Sequence, residues 1–119
     1  MICGVGIDII ELNRIEALIK RDDRFIDRIL TENEQRKFQH LSDHRKVEYA
    51  AGRFAAKEAF AKAIGTGIGE VSFKDMEVIN NVHGAPYMKV RGYNDNAIYL
   101  SISHSKTYAV ANVILETRE

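Results

Sequence analysis

Two carboxylates stand where burial is expected, and together they point to metal chemistry. Asp8 is the only charge in the run Ile2 to Ile10. Read as a strand, that run puts Cys3, Val5, Ile7 and Ile9 on one face and Gly4, Gly6, Asp8 and Ile10 on the other, because side chains alternate with a period of two. The two glycines on Asp8's own face let another group approach closely. Glu58 falls on the stripe Val47, Ala51, Phe54 and Ala61, set at steps of three, four and seven along a predicted helix. A carboxylate on an apolar helix face is costly unless a cation or hydrogen-bond donors meet it. If the strand brings Asp8 to Glu58, the pair suits a hard divalent cation. Mg²⁺ takes one or two protein carboxylates and completes its shell with water and phosphate oxygens. The plainer alternative pairs Glu58 with Lys62 one turn on, in the favourable Glu-before-Lys order, worth about 0.2–0.5 kcal/mol.

Arg45, Arg53, Lys57 and Lys62 add positive charge along the same helix. They read either as a solvated, salt-bridged face or as phosphate contacts beside the metal. Gly65, Gly67 and Gly69 follow the helix, whereas phosphate-binding glycine loops precede one. A helix C-cap with a flexible exit is the direct reading, although such backbone can lie close to a ligand. His104 ends a strand face carrying Ile98, Leu100 and Ile102, beside a hairpin turn where a side chain can reach a cleft; a structural histidine fits the same pattern. Ser103 and Ser105 flank it but point to the opposite face, which argues against a Ser–His nucleophile pair. A break at Leu41-Ser42 separates His40 from His44, so no zinc site is expected there. Cys3 reads as a small buried hydrophobe. Arg14, Arg21, Arg24 and Arg28 offer a basic patch, interleaved with Glu16, Asp22, Asp23 and Asp27, that hints weakly at an acidic partner.

A strand, several helices and later hairpins must position these groups. After the opening strand, Leu12, Ile15, Leu18 and Ile19 have helical spacing that breaks near Arg21-Asp22-Asp23-Arg24. Phe25, Ile26, Ile29 and Leu30 continue as a short apolar turn of helix. Thr31 with Glu34 forms a capping box for a helix to about Phe38, and Ser42 or Asp43 caps the longest helix, to about Ile64. Asp75 to Asn81 and Tyr87 to Val90 flank His83-Gly84-Ala85-Pro86 as one hairpin. Ala97 to His104 and Thr107 to Leu115 make another around Ser105-Lys106. Helices first and antiparallel strands later predict an α+β fold. The 119 residues fit a single domain, without internal repeats and with Pro86 as the only proline. Lys plus Arg and Asp plus Glu both total 17, a balance that argues against a bulk electrostatic nucleic-acid binder. One cysteine excludes a disulfide scaffold and favours a reducing compartment. The run Ile2 to Ile10 is too short to span a membrane and has neither a basic lead nor a small-residue cleavage site, so a cytoplasmic protein without a membrane partner is expected.

The motifs resemble those of the small bacterial 4'-phosphopantetheinyl transferases, the holo-[acyl-carrier-protein] synthase family. Gly6-Ile7-Asp8 followed by Glu11 is similar to the family's first motif. The string Phe54 to Ala63, with Lys57-Glu58 at its centre and leading into Gly65-Thr66-Gly67, is similar to its central signature. Gly84-Ala85-Pro86 and Ser101 to Ser105 resemble later motifs. The matches run in the family's order over nearly the whole chain, and only Gly92 to Asn96 is short for the family. The resemblance implies transfer of the phosphopantetheine arm of coenzyme A to a serine of an apo acyl carrier protein in fatty acid biosynthesis, releasing adenosine 3',5'-bisphosphate. It implies Mg²⁺ held by Asp8 and Glu58, a homotrimer, and coenzyme A bound between subunits. Lys62 would contact the pyrophosphate; Arg53 and His104 would contact coenzyme A phosphates, with Gly65 beside the cofactor. Arg14, Arg21 and Arg24 would meet the acidic recognition helix of the carrier. Either a metal-activated water or a carboxylate such as Glu58 would take the serine proton. The rival readings are a non-catalytic coenzyme A or nucleotide binding module and a purely structural oligomerisation domain.

Overall fold

The structure, a computed structural model, describes residues 1–65 and 70–118. In chain order its elements are β1 (Ile2–Glu11), α1 (Leu12–Arg21), α2 (Phe25–Ile29), α3 (Glu32–Gln39), α4 (Asp43–Ala63), a 3-10 turn (Phe73–Asp75), β2 (Met76–Asn80), β3 (Pro86–Val90), β4 (Asn96–His104) and β5 (Tyr108–Thr117). Strands β1, β5 and β4 form one antiparallel sheet in that order, and β2 and β3 form a separate hairpin. This is the expected α+β arrangement. Asp8 pairs with Ala111 of β5, which pairs with Ile102 of β4; the next inward-facing row is Ile10, Ala109 and His104. In the β2–β3 turn the Asn81 side-chain oxygen accepts from the backbone N–H groups of His83 and Ala85, at 2.8 and 3.0 Å. Gly84 supplies the positive φ of 84° that this turn requires. The short segment Gly92 to Asn96 is closed by backbone bonds from Tyr93 to Val90 and from Asn96 to Tyr93.

Helix α4 is the axis of the molecule, buried on nearly every side. Ala50, Ala51, Ala55, Ala56, Ala59, Phe60 and Ala61 are all fully inaccessible, a wider apolar surface than the single stripe expected from the sequence. The three-stranded sheet covers one side of the helix, while α1 to α3 and β2 cover others. A helix enclosed in this way needs small residues wherever a neighbour's backbone comes near. The near approach is at β1. A methyl group added to Gly6 would lie 1.9 Å from the Ala59 carbonyl oxygen, and one added to Gly4 would lie 2.1 Å from that of Ala63.

The opposite side of α4 corrects one expectation. Lys57, which the sequence places among the helix's solvent-facing or ligand-facing cations, is completely buried. Its ammonium donates to Glu34 Oε1 at 2.6 Å and to the Ile29 carbonyl at 2.7 Å. Glu34 is the acid of the predicted capping box and receives the Thr31 N–H at 2.8 Å. Its second oxygen accepts from Val78 N–H, also at 2.8 Å. The pair therefore ties α2, α3, α4 and β2 together. Single-residue pattern reading fails here because the helix is flanked on both sides, so a cation opposite the sheet-facing side still meets protein.

Cys3 is a second correction: it is exposed, not buried. Because α4 packs on the Gly4–Gly6–Asp8 face of β1, the alternate face stays open, and Val5, Ile7 and Ile9 are each about 60% accessible (61%, 59% and 63%). Among the described residues, no helix is long and apolar enough to cross a membrane.

Replacing Gly6 with alanine forces a methyl group into a helix carbonyl. Overpacking of well-filled interiors commonly costs 1–3 kcal/mol, and a clash with backbone belongs at about 3 kcal/mol. Urea unfolding of Gly6→Ala is expected to show a clearly lower midpoint with little change in slope.

Candidate functional site

The sheet-facing side of α4 brings Lys62 to the strand that carries Asp8. Helical positions 48, 52, 59 and 62 recur at intervals of three, four or seven and so share one side. Gly52 lies against Ile102 of β4, Ala59 against Gly6, and Lys62 against Asp8. Lys62 Nζ is 3.0 Å from Asp8 Oδ1 and 2.9 Å from the Ile7 carbonyl oxygen. The cation thus crosses from helix to strand and does not pair with Glu58, as the plainer sequence alternative had it. Burial first, and then the negative charge of Asp8, raise the Glu58 pKa above the usual carboxylate value; Lys62 and Arg14 partly offset them. Asp8, Glu58, Lys62 and Arg14 therefore share one electrostatic neighbourhood, drawn from β1, α4 and α1.

The donor set fits a hard cation. Two carboxylates held close enough to repel each other are relieved by a divalent ion, and oxygen ligands match Mg²⁺. No group of three or more His, Cys, Asp or Glu residues suitable for a metal occurs among the described residues.

A cleft of about 280 Å³ opens along the first half of α4, lined by Lys37, Arg45, Glu48, Arg53, Asn80 and His104 among others. Its walls come from α3, α4, the β2–β3 hairpin and the end of β4. Arg53 is only 8% exposed. Its guanidinium lies 4.0 Å from the centre of the Tyr49 ring, and Nη2 donates to Asn80 Oδ1 at 3.1 Å. Arg53 Nε is buried and has no partner. Buried donors are almost always satisfied, so an orphan on a cleft wall marks a place for an acceptor from outside. Tyr49, which braces the guanidinium, has its own pKa raised, chiefly by burial.

Five helix positions separate Arg53 from Glu58, a rise of roughly 8 Å and a rotation of about 140° around the axis, so the cationic cleft and the acid pair form two stations at different heights and on different sides of one helix. Arg53 and His104 fall in the cleft, while Asp8, Glu58 and Lys62 form the other station. Gly65 follows α4 with φ +82°, and its N–H bonds to the Lys62 carbonyl, as a C-cap does. Thr66, Gly67 and Gly69 of the expected glycine exit lie outside the described residues. Arg14 and Arg21 sit on α1, with Arg24 at the start of α2. Arg28 of the same run is held by Asp22 at 2.5 Å, whereas Arg14, Arg21 and Arg24 have no ion pair among the described residues. Sequence reading missed Lys37, Glu48, Tyr49 and Asn80. Glu48 follows His44 by four and Arg45 by three, which looks like an ordinary surface ion-pair pattern, and nothing local marks Asn80.

The chain is similar to known proteins over its whole length. A sequence model of the 4'-phosphopantetheinyl transferase superfamily matches residues 4–113. A holo-[acyl-carrier-protein] synthase of Oceanobacillus iheyensis is 83% identical over 119 residues, covering all of both chains. One from a Geobacillus strain is 59% identical over 117 residues, 98% of each. A solved holo-(acyl-carrier-protein) synthase from Bacillus anthracis, in complex with CoA (3',5'-ADP), superposes with a TM-score of 0.92 at 55% identity, covering 98% of each chain. With its helix-and-strand site, its fold and these matches in agreement, the chain belongs to the 4'-phosphopantetheinyl transferase superfamily.

Proposed function

We propose that this protein transfers the 4'-phosphopantetheine group of coenzyme A to a serine of apo acyl carrier protein, releasing adenosine 3',5'-bisphosphate, in the service of fatty acid biosynthesis. The observation that carries the reading is the pairing of two stations on α4. One is a cationic cleft with an unpartnered buried Arg53 Nε; the other is a carboxylate pair with Lys62 beside it. A substrate with a nucleoside bisphosphate at one end and a reactive pyrophosphate further along calls for both kinds of group. The kinship with holo-[acyl-carrier-protein] synthases supports the same assignment. The whole chain, residues 1–119, is read as one transferase domain acting in the cytoplasm, in keeping with its single exposed cysteine.

In the reaction the serine oxygen attacks the phosphorus that bears the pantetheine arm. A new P–O bond forms, the pyrophosphate bridge breaks, and adenosine 3',5'-bisphosphate leaves with the electron pair. Arg53 and His104 bind the nucleotide's phosphates, with Gly65 close to the cofactor. Lys62, half exposed at 53%, is free to turn from Asp8 to the pyrophosphate and offset charge building on the leaving group. Asp8 and Glu58 would hold Mg²⁺. When bound, that ion supplies positive charge at the pyrophosphate oxygens. A water beside the acid pair, or a carboxylate such as Glu58, accepts the serine proton. Arg14, Arg21 and Arg24 present unpaired positive charge to the acidic carrier. The open apolar face of β1, with Val5, Ile7 and Ile9, supports a homotrimer in which a neighbour covers the sheet and closes the cleft.

Three measurements test this. Intact-mass spectrometry of an apo acyl carrier protein incubated with the protein, coenzyme A and Mg²⁺ is expected to show the gain of one phosphopantetheinyl group, abolished by chelator. Asp8→Ala and Glu58→Ala should each slow that gain by about 10²-fold or more; full Mg²⁺-dependent transfer by both would remove the metal assignment. No gain at all, with coenzyme A still bound, would leave a binding module. Reversing the charge at Arg14, Arg21 and Arg24 should raise the KM for the carrier and leave that for coenzyme A unchanged; equal loss for both refutes the docking role. Sedimentation should return the mass of a trimer, and a monomer at working concentration would rule out a shared site.

A further inference from the structure

We propose that Glu48 is a positioning residue for His104, and that it tightens nucleotide binding although it places a negative charge in an anion pocket. The inference rests on the reading of the cleft as the phosphate-binding end of the coenzyme A site. Glu48 lies on the sheet-facing side of α4, one turn before Gly52, with only 18% of its side chain accessible. Its Oε2 is 3.4 Å from His104 Nδ1 and 3.4 Å from His44 Nε2. Its Oε1 is 3.9 Å from Arg45 Nε. Both Glu48 and His104 line the cleft, as do Arg45, Arg53 and Lys37.

By Coulomb's law alone an acid in this place should weaken the binding of a polyanion. Geometry argues the other way. His104 is the last residue of β4, and half of its side chain is open to solvent, so little packing fixes its ring. In the imidazolium form both ring nitrogens donate, so a carboxylate at Nδ1 sets the ring's orientation and leaves the Nε2–H donor facing away from Glu48. His44 competes for the same oxygen from the exposed side of the helix, with 77% of its side chain accessible. Two effects of opposite sign thus meet in one side chain: repulsion of the ligand's charge, and orientation of a group that binds it. The burial of Glu48 and its contact with the strand-end histidine favour orientation as the larger.

The opposite signs make the test direct. Isothermal titration with adenosine 3',5'-bisphosphate is run on the wild type, Glu48→Gln, His104→Ala and the double variant, with His44→Ala alongside. Positioning predicts that Glu48→Gln weakens binding about fivefold and raises the KM for coenzyme A while kcat changes less than about twofold. It also predicts that Glu48→Gln weakens nothing further once His104 is alanine, since the effect passes through that ring. His44→Ala, which leaves Oε2 of the carboxylate to His104, should bind as tightly as the wild type or tighter. Glu48→Asp keeps the charge but shortens the reach, and should weaken binding as Gln does. Tighter binding by Glu48→Gln, or the same loss with and without His104, overturns the proposal while leaving the transferase reading intact. A wild type that does not bind the bisphosphate at all overturns the cleft assignment, and this proposal with it.

Discussion

The contact between the backbone of β1 and the backbone of α4 is the constraint on which the site depends. At Gly4 and Gly6 the strand lies so near the helix that no Cβ fits. Two residues further along the same strand face is Asp8; on the helix, Glu58 immediately precedes Ala59 and Lys62 follows it by three residues, about one turn. The distance between strand and helix is therefore also the distance between the functional groups. An alanine in the strand would do more than cost packing energy. It would push the helix outward and separate the Asp8 carboxylate from the Lys62 ammonium, which now stand 3.0 Å apart. Bringing Asp8 near a partly buried Glu58 is unfavourable in itself: burial first, and then the Asp8 charge, push the Glu58 pKa up. The apolar contacts of Ala59, Phe60 and Ala63 hold together what the charges would drive apart.

Two ion pairs on successive turns of α4 show how similar chemistry serves different ends. The Lys57–Glu34 pair is closed, with side chains 0% and 1% accessible and donors from Thr31, Val78 and Lys57 on the carboxylate. Opening it would leave a buried charge without a partner, which commonly costs 3–5 kcal/mol. It belongs to the architecture and fixes α3 and β2 against the helix, and those elements supply Lys37 and Asn80 to the cleft. The Lys62–Asp8 pair is half open, and a pair in contact with water is worth 1 kcal/mol or less. Such a pair can exchange its partner for a phosphate or a metal at little cost. Position around the helix decides which role each lysine takes, although only five residues separate them.

Much of this was legible in the sequence because it follows from local rules. The strand face carrying Gly4, Gly6 and Asp8, the Thr31–Glu34 capping box, the Ser42 cap and both hairpins lie where periodicity and turn chemistry put them. The central string from Phe54 to Ala63 identified the family. What could not be read was long-range. The partner of Lys57 is 23 residues away and lies on the far side of the helix. The partner of Lys62 is 54 residues away. Asn80 reaches the cleft only because β2 lies along α4. Cys3 shares a face with three large apolar residues, and that pattern says burial; only the sheet's one-sided packing explains why the face is open.

Formal neutrality and an affinity for polyanions are compatible here because the charges are sorted in space. Acids that would oppose a nucleotide are occupied: Glu34 by Lys57, Asp8 by Lys62, and Glu48 by the basic groups around it. The cations of the cleft stay available by being braced from behind, as Arg53 is by Tyr49 and Asn80. A guanidinium fixed on one face and one nitrogen has less freedom to lose when it meets a phosphate, so a given contact gives more net affinity. On the proposed reading, binding strength in so small a chain comes from preorganising a few cations rather than from a large positive field.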